Sequence, residues 1–189
     1  KAADVFETAA ESGDADAAHA LALLYLRGEG RQPDMASAFR YMKLAAERGD
    51  PRAQHALAIM YEEGQGTLPD DVQATRWYGR AAESGDARAA FAYAERRLQG
   101  IGAEADAKVA LPFLSLAARS GNARAMNLMA RALADGYGGD PDEVEAIKWH
   151  LLARRAGISD LYLDGFMGTR ELSVVEEAEQ RAAAFAQRR

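Results

Sequence analysis

Glycine stands at positions 13, 49, 85, 121 and 157, at a constant step of 36 residues. A fixed period of this length means that the chain is an array of equal supersecondary units. The glycines bound four full units, 14–49, 50–85, 86–121 and 122–157, and the first two agree at 17 of 36 positions.

The recurring residues say what each unit is. Every unit opens with Asp14, Asp50, Asp86 or Asn122, side chains that accept hydrogen bonds from the free N–H groups of a helix start. Small residues follow at Ala17, Ala53, Ala89 and Ala125, and at Ala22, Ala58, Ala94 and Ala130. Leu21, Leu57, Tyr93 and Met129 hold the large apolar position between them. This spacing predicts a first helix, A, with a face small enough for close packing. Gly28, Gly64, Gly100 and Gly136 end it, and a second glycine follows at Gly30, Gly66, Gly102 and Gly138. Asp34, Asp70, Asp106 and Asp142 then start a second helix, B. Helix B carries Ala38, Ala74, Ala110 and Ala146, then an aromatic at Tyr41, Trp77, Phe113 and Trp149. An alanine pair near its end becomes Ala153–Arg154 in the last unit.

The predicted fold is all-α: an α/α superhelix of antiparallel helix pairs, one solenoid domain over 1–189. Residues 1–13 read as helix B of a truncated repeat, so a longer parent chain is expected. Residues 158–189 read as a degenerate capping repeat, with a short helix near 159–167. Ser173 and Glu176 read as a capping box ahead of a final helix from about 174 to 188. Abundant alanine agrees with helix. Neither cysteine nor an apolar run of membrane length is present. A net charge of −6 argues against nucleic acid as partner.

The pattern resembles the Sel-one-like repeats, a subclass of the tetratricopeptide superfamily. The residues that carry it are Ala20, Leu21, Tyr25, Gly28-Glu29-Gly30, Pro33-Asp34, Ala38, Tyr41, Ala45-Ala46 and Gly49, repeated as Ala56, Leu57, Tyr61, Gly64-Gln65-Gly66, Pro69-Asp70, Ala74, Trp77, Ala81-Ala82 and Gly85. The resemblance implies scaffold or adaptor work, often in bacterial envelope, secretion or signalling assemblies, and no catalytic activity. The compartment, periplasm and envelope or cytoplasm, stays open. Unit 86–121 departs from the pattern, with Arg96–Arg97 where the earlier units have Leu24–Tyr25 and Met60–Tyr61.

Sites of chemistry are scarce. The Gly-x-Gly pairs follow helices in every copy, so they read as turns rather than phosphate loops. His19 and His55 share one repeat position, but Phe91 and Asn127 replace them later, so no metal ladder is predicted. The carboxylates sit at caps, and the tryptophans occupy one core position. No catalytic residue, cofactor or metal is assigned.

One stripe of helix A varies where the scaffold does not. Its positions are spaced three, four and three residues apart, which places them on one helix face. They read Asp16, Arg52, Arg88, Arg124; His19, His55, Phe91, Asn127; Leu23, Ile59, Glu95, Arg131; and Leu26, Glu62, Leu98, Ala134. Helix A lines the concave surface in helix-pair solenoids, and mixed arginine, aromatic and aliphatic chemistry suits protein recognition. The stripe is therefore the candidate binding face for a protein or peptide. The competing reading packs Leu23, Ile59 and Leu98 against the next helix A, with arginine as solvated rim. A monomer is expected, because the last helix, with Phe185, reads as an end cap.

Overall fold

The computed structural model describes residues 2–28 and 32–188. Among these are eleven α-helices and no strand. They are α1 (Ala2–Ser12), α2 (Ala15–Arg27), α3 (Met35–Glu47), α4 (Pro51–Glu63), α5 (Asp71–Glu83), α6 (Ala87–Gln99), α7 (Ala107–Arg119), α8 (Ala123–Ala134), α9 (Glu143–Arg155), α10 (Leu161–Gly168) and α11 (Leu172–Gln187). The even-numbered helices from α2 to α8 are the A helices of the four full repeats, and α3 to α9 the B helices. The protein is an α-solenoid with a period of about 36 residues. Its contacts group into two compact units, Lys1–Glu104 and Ala105–Arg189. Glu29 and Gly30, assigned to the first loop, and Lys1 lie outside the described residues.

Local chemistry places most helix ends as the sequence predicts; α8 differs, ending at Ala134 with Asp135, not Gly136, as its C-cap. Asp14 accepts from the Ala17 N–H at 3.0 Å, and Asn122 does the same for Ala125 at 3.0 Å. Asp50 and Asp86 each take two N–H groups of their first turn. Each cap satisfies donors that have no partner inside the helix. Gly28, Gly64 and Gly100 adopt the left-handed conformation and close α2, α4 and α6.

The small positions are the core. Ala22, Ala58, Ala94 and Ala130 are fully buried, as are Ala38, Ala74, Ala110 and Ala146. Small side chains at these positions let neighbouring backbones approach, and within each unit stability comes from stacking helices on their neighbours. In the first unit, Tyr25 stacks on Tyr41 at 5.6 Å between ring centroids, and Phe39 meets Tyr61 edge-on at 5.1 Å.

The C-terminal end is more regular than its sequence suggests. Ala182 lies 36 residues after Ala146, and Phe185 lies 36 after Trp149. Ala182 is fully buried, and Phe185 packs edge-on against Trp149 at 5.2 Å. So α11 is a further helix B in register, and α10 is a shortened helix A. The predicted capping box is absent. Leu172 already belongs to α11, Glu171 is its N-cap residue, and no side chain caps it. Ser173 is therefore inside the first turn, two positions past the N-cap that would accept the end N–H groups.

Candidate protein-binding surface

The stripe on helix A divides into residues used inside the fold and residues that face outward. His19 Nδ1 lies 2.9 Å from Asp50, the N-cap of the next helix A. His55 Nδ1 lies 3.2 Å from Asp86 in the same way. Asn127 repeats the contact in the second unit, donating to Asp160, the N-cap of α10, at 2.9 Å. Each of these side chains thus tethers the helix start that follows it. The contact joins residues 31 or 33 apart in sequence, so a helix face viewed alone does not reveal it. Phe91, at this position of the third repeat, is half-buried and its ring has no N–H or O–H to offer.

The first position is split by charge. Arg52 bridges its own cap Asp50 and the Asp16 carboxylate 36 residues earlier, with a 2.5 Å contact to Asp16. Arg88 has Arg52, a like charge, at the preceding repeat position. It is exposed and makes no ion pair with any described residue. Arg124 is exposed as well. At the third position, Leu23 and Ile59 are partly buried against the core, Glu95 is half-buried, and Arg131 clamps Asp160 at 2.6 and 3.0 Å. At the fourth, Leu26 also packs on the core, Leu98 is half-buried, Ala134 is buried, and Glu62 is engaged as described next.

The structure explains the departure at Arg96. Its guanidinium is buried and donates to Thr75 Oγ1 at 2.7 Å, Glu62 Oε1 at 2.7 Å, and the backbone carbonyl and carboxylate of Asp71. Tyr78 donates to the other oxygen of Glu62 at 2.6 Å. Burial, then the bond to Glu62, pushes the Tyr78 phenol well above its ordinary range. Arg97 donates to the Tyr93 hydroxyl at 3.3 Å.

Asp50 and Asp160 are held below the ordinary carboxylate range. Burial pushes Asp50 up, but hydrogen bonds from the Arg52 side chain and backbone, and then His19, leave it below the ordinary range. Asp160 goes furthest. The Arg131 hydrogen bond lowers it to about 2, with Asn127 and the Leu163 N–H helping against burial. Its folded value lies below the unfolded one, so its contribution is complete above about pH 4 and is lost as pH falls toward about 2. We expect Asp160→Asn to cost about 1–2 kcal/mol at pH 7, after discounting for the half-exposed Arg131. Urea unfolding of both proteins at pH 7 and pH 2 checks this. A deficit that persists undiminished at pH 2 would sink the linkage.

Among the described residues, no three His, Asp or Glu side chains converge as a metal site needs. No helix among them is long and apolar enough to cross a membrane.

Comparison with known proteins matches this geometry. The family model described as the Sel1 repeat matches residues 15–50, 51–86, 87–122 and 123–158. A Sel1 repeat protein from Oxalobacter formigenes superposes with a TM-score of 0.73 at 26% identity, over 89% of this chain and 74% of that one. A protective antigen of uropathogenic Escherichia coli with an SLR fold gives 0.71 at 28% identity, over 96% of this chain and 40% of that one. Helicobacter pylori cysteine rich protein B gives 0.50 at 21%, over 66% and 90%, a likeness of fold alone. No curated protein matches.

Proposed function

Because the chain belongs to the Sel1 repeat family, we propose that it is a non-catalytic adaptor that binds a partner protein or peptide on its helix A face, in a bacterial envelope, secretion or signalling assembly. Proteins built from these repeats generally mediate protein–protein interaction. The observation that carries the reading is the contrast along the stripe. His19, His55, Asn127 and Arg131 are engaged in tethering the next helix, whereas Arg88 presents an exposed guanidinium without an internal carboxylate. Arginine forks suit carboxylates and backbone carbonyls of a partner. Arg124 has the matching position in the second unit. Asp16, Arg52, Phe91 and Glu95 would frame the contact, with Leu23 and Ile59 as its apolar floor. The adaptor acts as a monomer in this reading.

Arg88→Glu combined with Arg124→Glu should weaken binding of a partner captured from the native source by roughly tenfold or more, with helical content unchanged. Unchanged affinity in a folded double variant would remove the helix A face from the reading. Light scattering over a concentration series should return one constant mass, and a rising mass would remove the monomer.

A further inference from the structure

The full repeats act as controls for one another, and they single out α5. Leucine stands at Leu44, Leu116 and Leu152, the matching positions of the other full repeats, where α5 has Arg80. Arg76 lies four residues earlier on the same helix face. Like charges at that spacing repel. Arg80 stacks on the Trp77 ring, 4.6 Å from its centroid, but the other repeats fold with leucine at this position. Packing therefore does not require arginine there.

No carboxylate of the fold answers these two charges. Neither Arg76 nor Arg80 forms an ion pair with any described residue. Glu83 lies three residues beyond Arg80, but it is exposed and makes no bridge to it. On the other flank of α5, Glu47 pairs with Lys43 at 3.9 Å, and Asp70 caps α5 by accepting from the Gln73 N–H at 3.0 Å. Both arginines line a groove of about 400 Å³ within the unit Lys1–Glu104, together with Glu83, Tyr93 and Arg97. Arg97 is engaged with the Tyr93 hydroxyl at 3.3 Å, whereas Arg76 is exposed and Arg80 half-buried.

We propose that this groove docks an acidic segment of a partner protein in extended form, with carboxylates on alternate residues. Arg76 and Arg80 stand about 6 Å apart along the helix axis. In an extended chain, residues i and i+2 point to the same side about 6.6–6.8 Å apart. Two alternate carboxylates therefore meet the two guanidinium forks in register. Stacking on Trp77 occupies the face of the Arg80 guanidinium and leaves its N–H edge for such a partner. A long nucleic-acid strand is disfavoured, because the chain as a whole carries a net charge of −6.

The probe is a short end-capped peptide with two glutamates separated by one glycine, titrated into the full chain by NMR. One control peptide sets the two glutamates side by side, and another replaces both with lysine. The Nε–Hε signals of Arg76 and Arg80 should move and saturate with the first peptide, several-fold more tightly than with the second. High salt should weaken the binding. Arg80→Leu should weaken it roughly tenfold or more. That change restores the residue of the other full repeats, so the variant is expected to fold, as circular dichroism will report. Arg76→Gln, at an exposed helix position, is a second variant with the same expected loss. Arg88→Glu with Arg124→Glu should leave this titration unchanged, so failure here and failure of the helix A face are separate results. The proposal is overturned if the alternating peptide does not saturate, or if either control peptide binds as tightly. It is also overturned if the folded variants bind as before, or if inorganic phosphate at equal ionic strength or a single-stranded oligonucleotide moves the same signals as strongly.

Discussion

Replacing Gly66 or Gly102 with alanine should destabilise the protein by about 3–5 kcal/mol. Gly66 has φ of 72°, and an added Cβ would lie 2.1 Å from the Met35 carbonyl oxygen and 2.9 Å from Phe39 Cβ. Gly102 has φ of 68°, and its Cβ would lie 2.1 Å from the Asp71 carbonyl oxygen and 2.7 Å from Thr75 Oγ1. In both cases the obstacle is the backbone of the preceding helix B, which cannot rotate aside. Relief requires the whole loop to lift from that helix. The periodic glycine is a sharp contrast. Gly85 has φ of 91°, but nothing lies within 4 Å of its Cβ position. Gly85→Ala should therefore cost only the left-handed strain, about 1–2 kcal/mol. Urea unfolding of the three variants decides the matter. If Gly66→Ala and Gly102→Ala lose no more than Gly85→Ala, close approach to the neighbouring helix is not what selects glycine there.

Arg96→Ala should cost about 2–3 kcal/mol. The arginine side chain is 7% exposed, while its partners Glu62 and Asp71 are 43% and 64% exposed and can regain water. This places the loss below that of a fully buried pair. Much of it comes from what remains behind: Thr75 and Glu62 lose the partner they share, and Tyr78 is left donating to a carboxylate without its cation. Removing the whole polar set should cost less than removing its centre. Arg96→Met with Glu62→Leu and Tyr78→Phe inserts apolar side chains, and Met60, Leu26 and Leu98 already stand at the matching repeat positions. That triple variant should lie within about 1 kcal/mol of the parent. If Arg96→Ala were neutral, or the triple variant less stable than the single one, the network would not have the energetics argued for it.

The helix pairs were legible because the same residue types return in register. An alanine at one position is weak evidence, but Ala22, Ala58, Ala94 and Ala130 together mark a buried face. Legibility fell where a marker was missing. Gly136 and Gly138 have no counterpart 36 residues on, where Leu172 and Val174 stand, yet Ala182 and Phe185 keep the step of 36. The α11 register escaped notice because its helix starts early and has no side-chain cap. In the candidate site, spacing along one helix placed the stripe on one face. It could not reveal that His19, His55 and Asn127 reach the following helix start, since that partner belongs to the next repeat. Arg96 was visible as an anomaly, but its acceptors are assembled from α4 and α5 and are not visible in α6 alone.

The tether between a helix A side chain and the next N-cap changes where the chain can be divided. A module cut at the glycines, such as 50–85, would carry Asp50 but leave His19 behind with its donor. Grafted behind a repeat that lacks a donor at that position, its first helix would begin with a buried carboxylate and no such neighbour. For recombination or array design, the transferable piece is therefore offset from the visible period. It should run from the middle of one helix A, including His19, to the corresponding point of the next, so that each cap travels with the side chain that holds it.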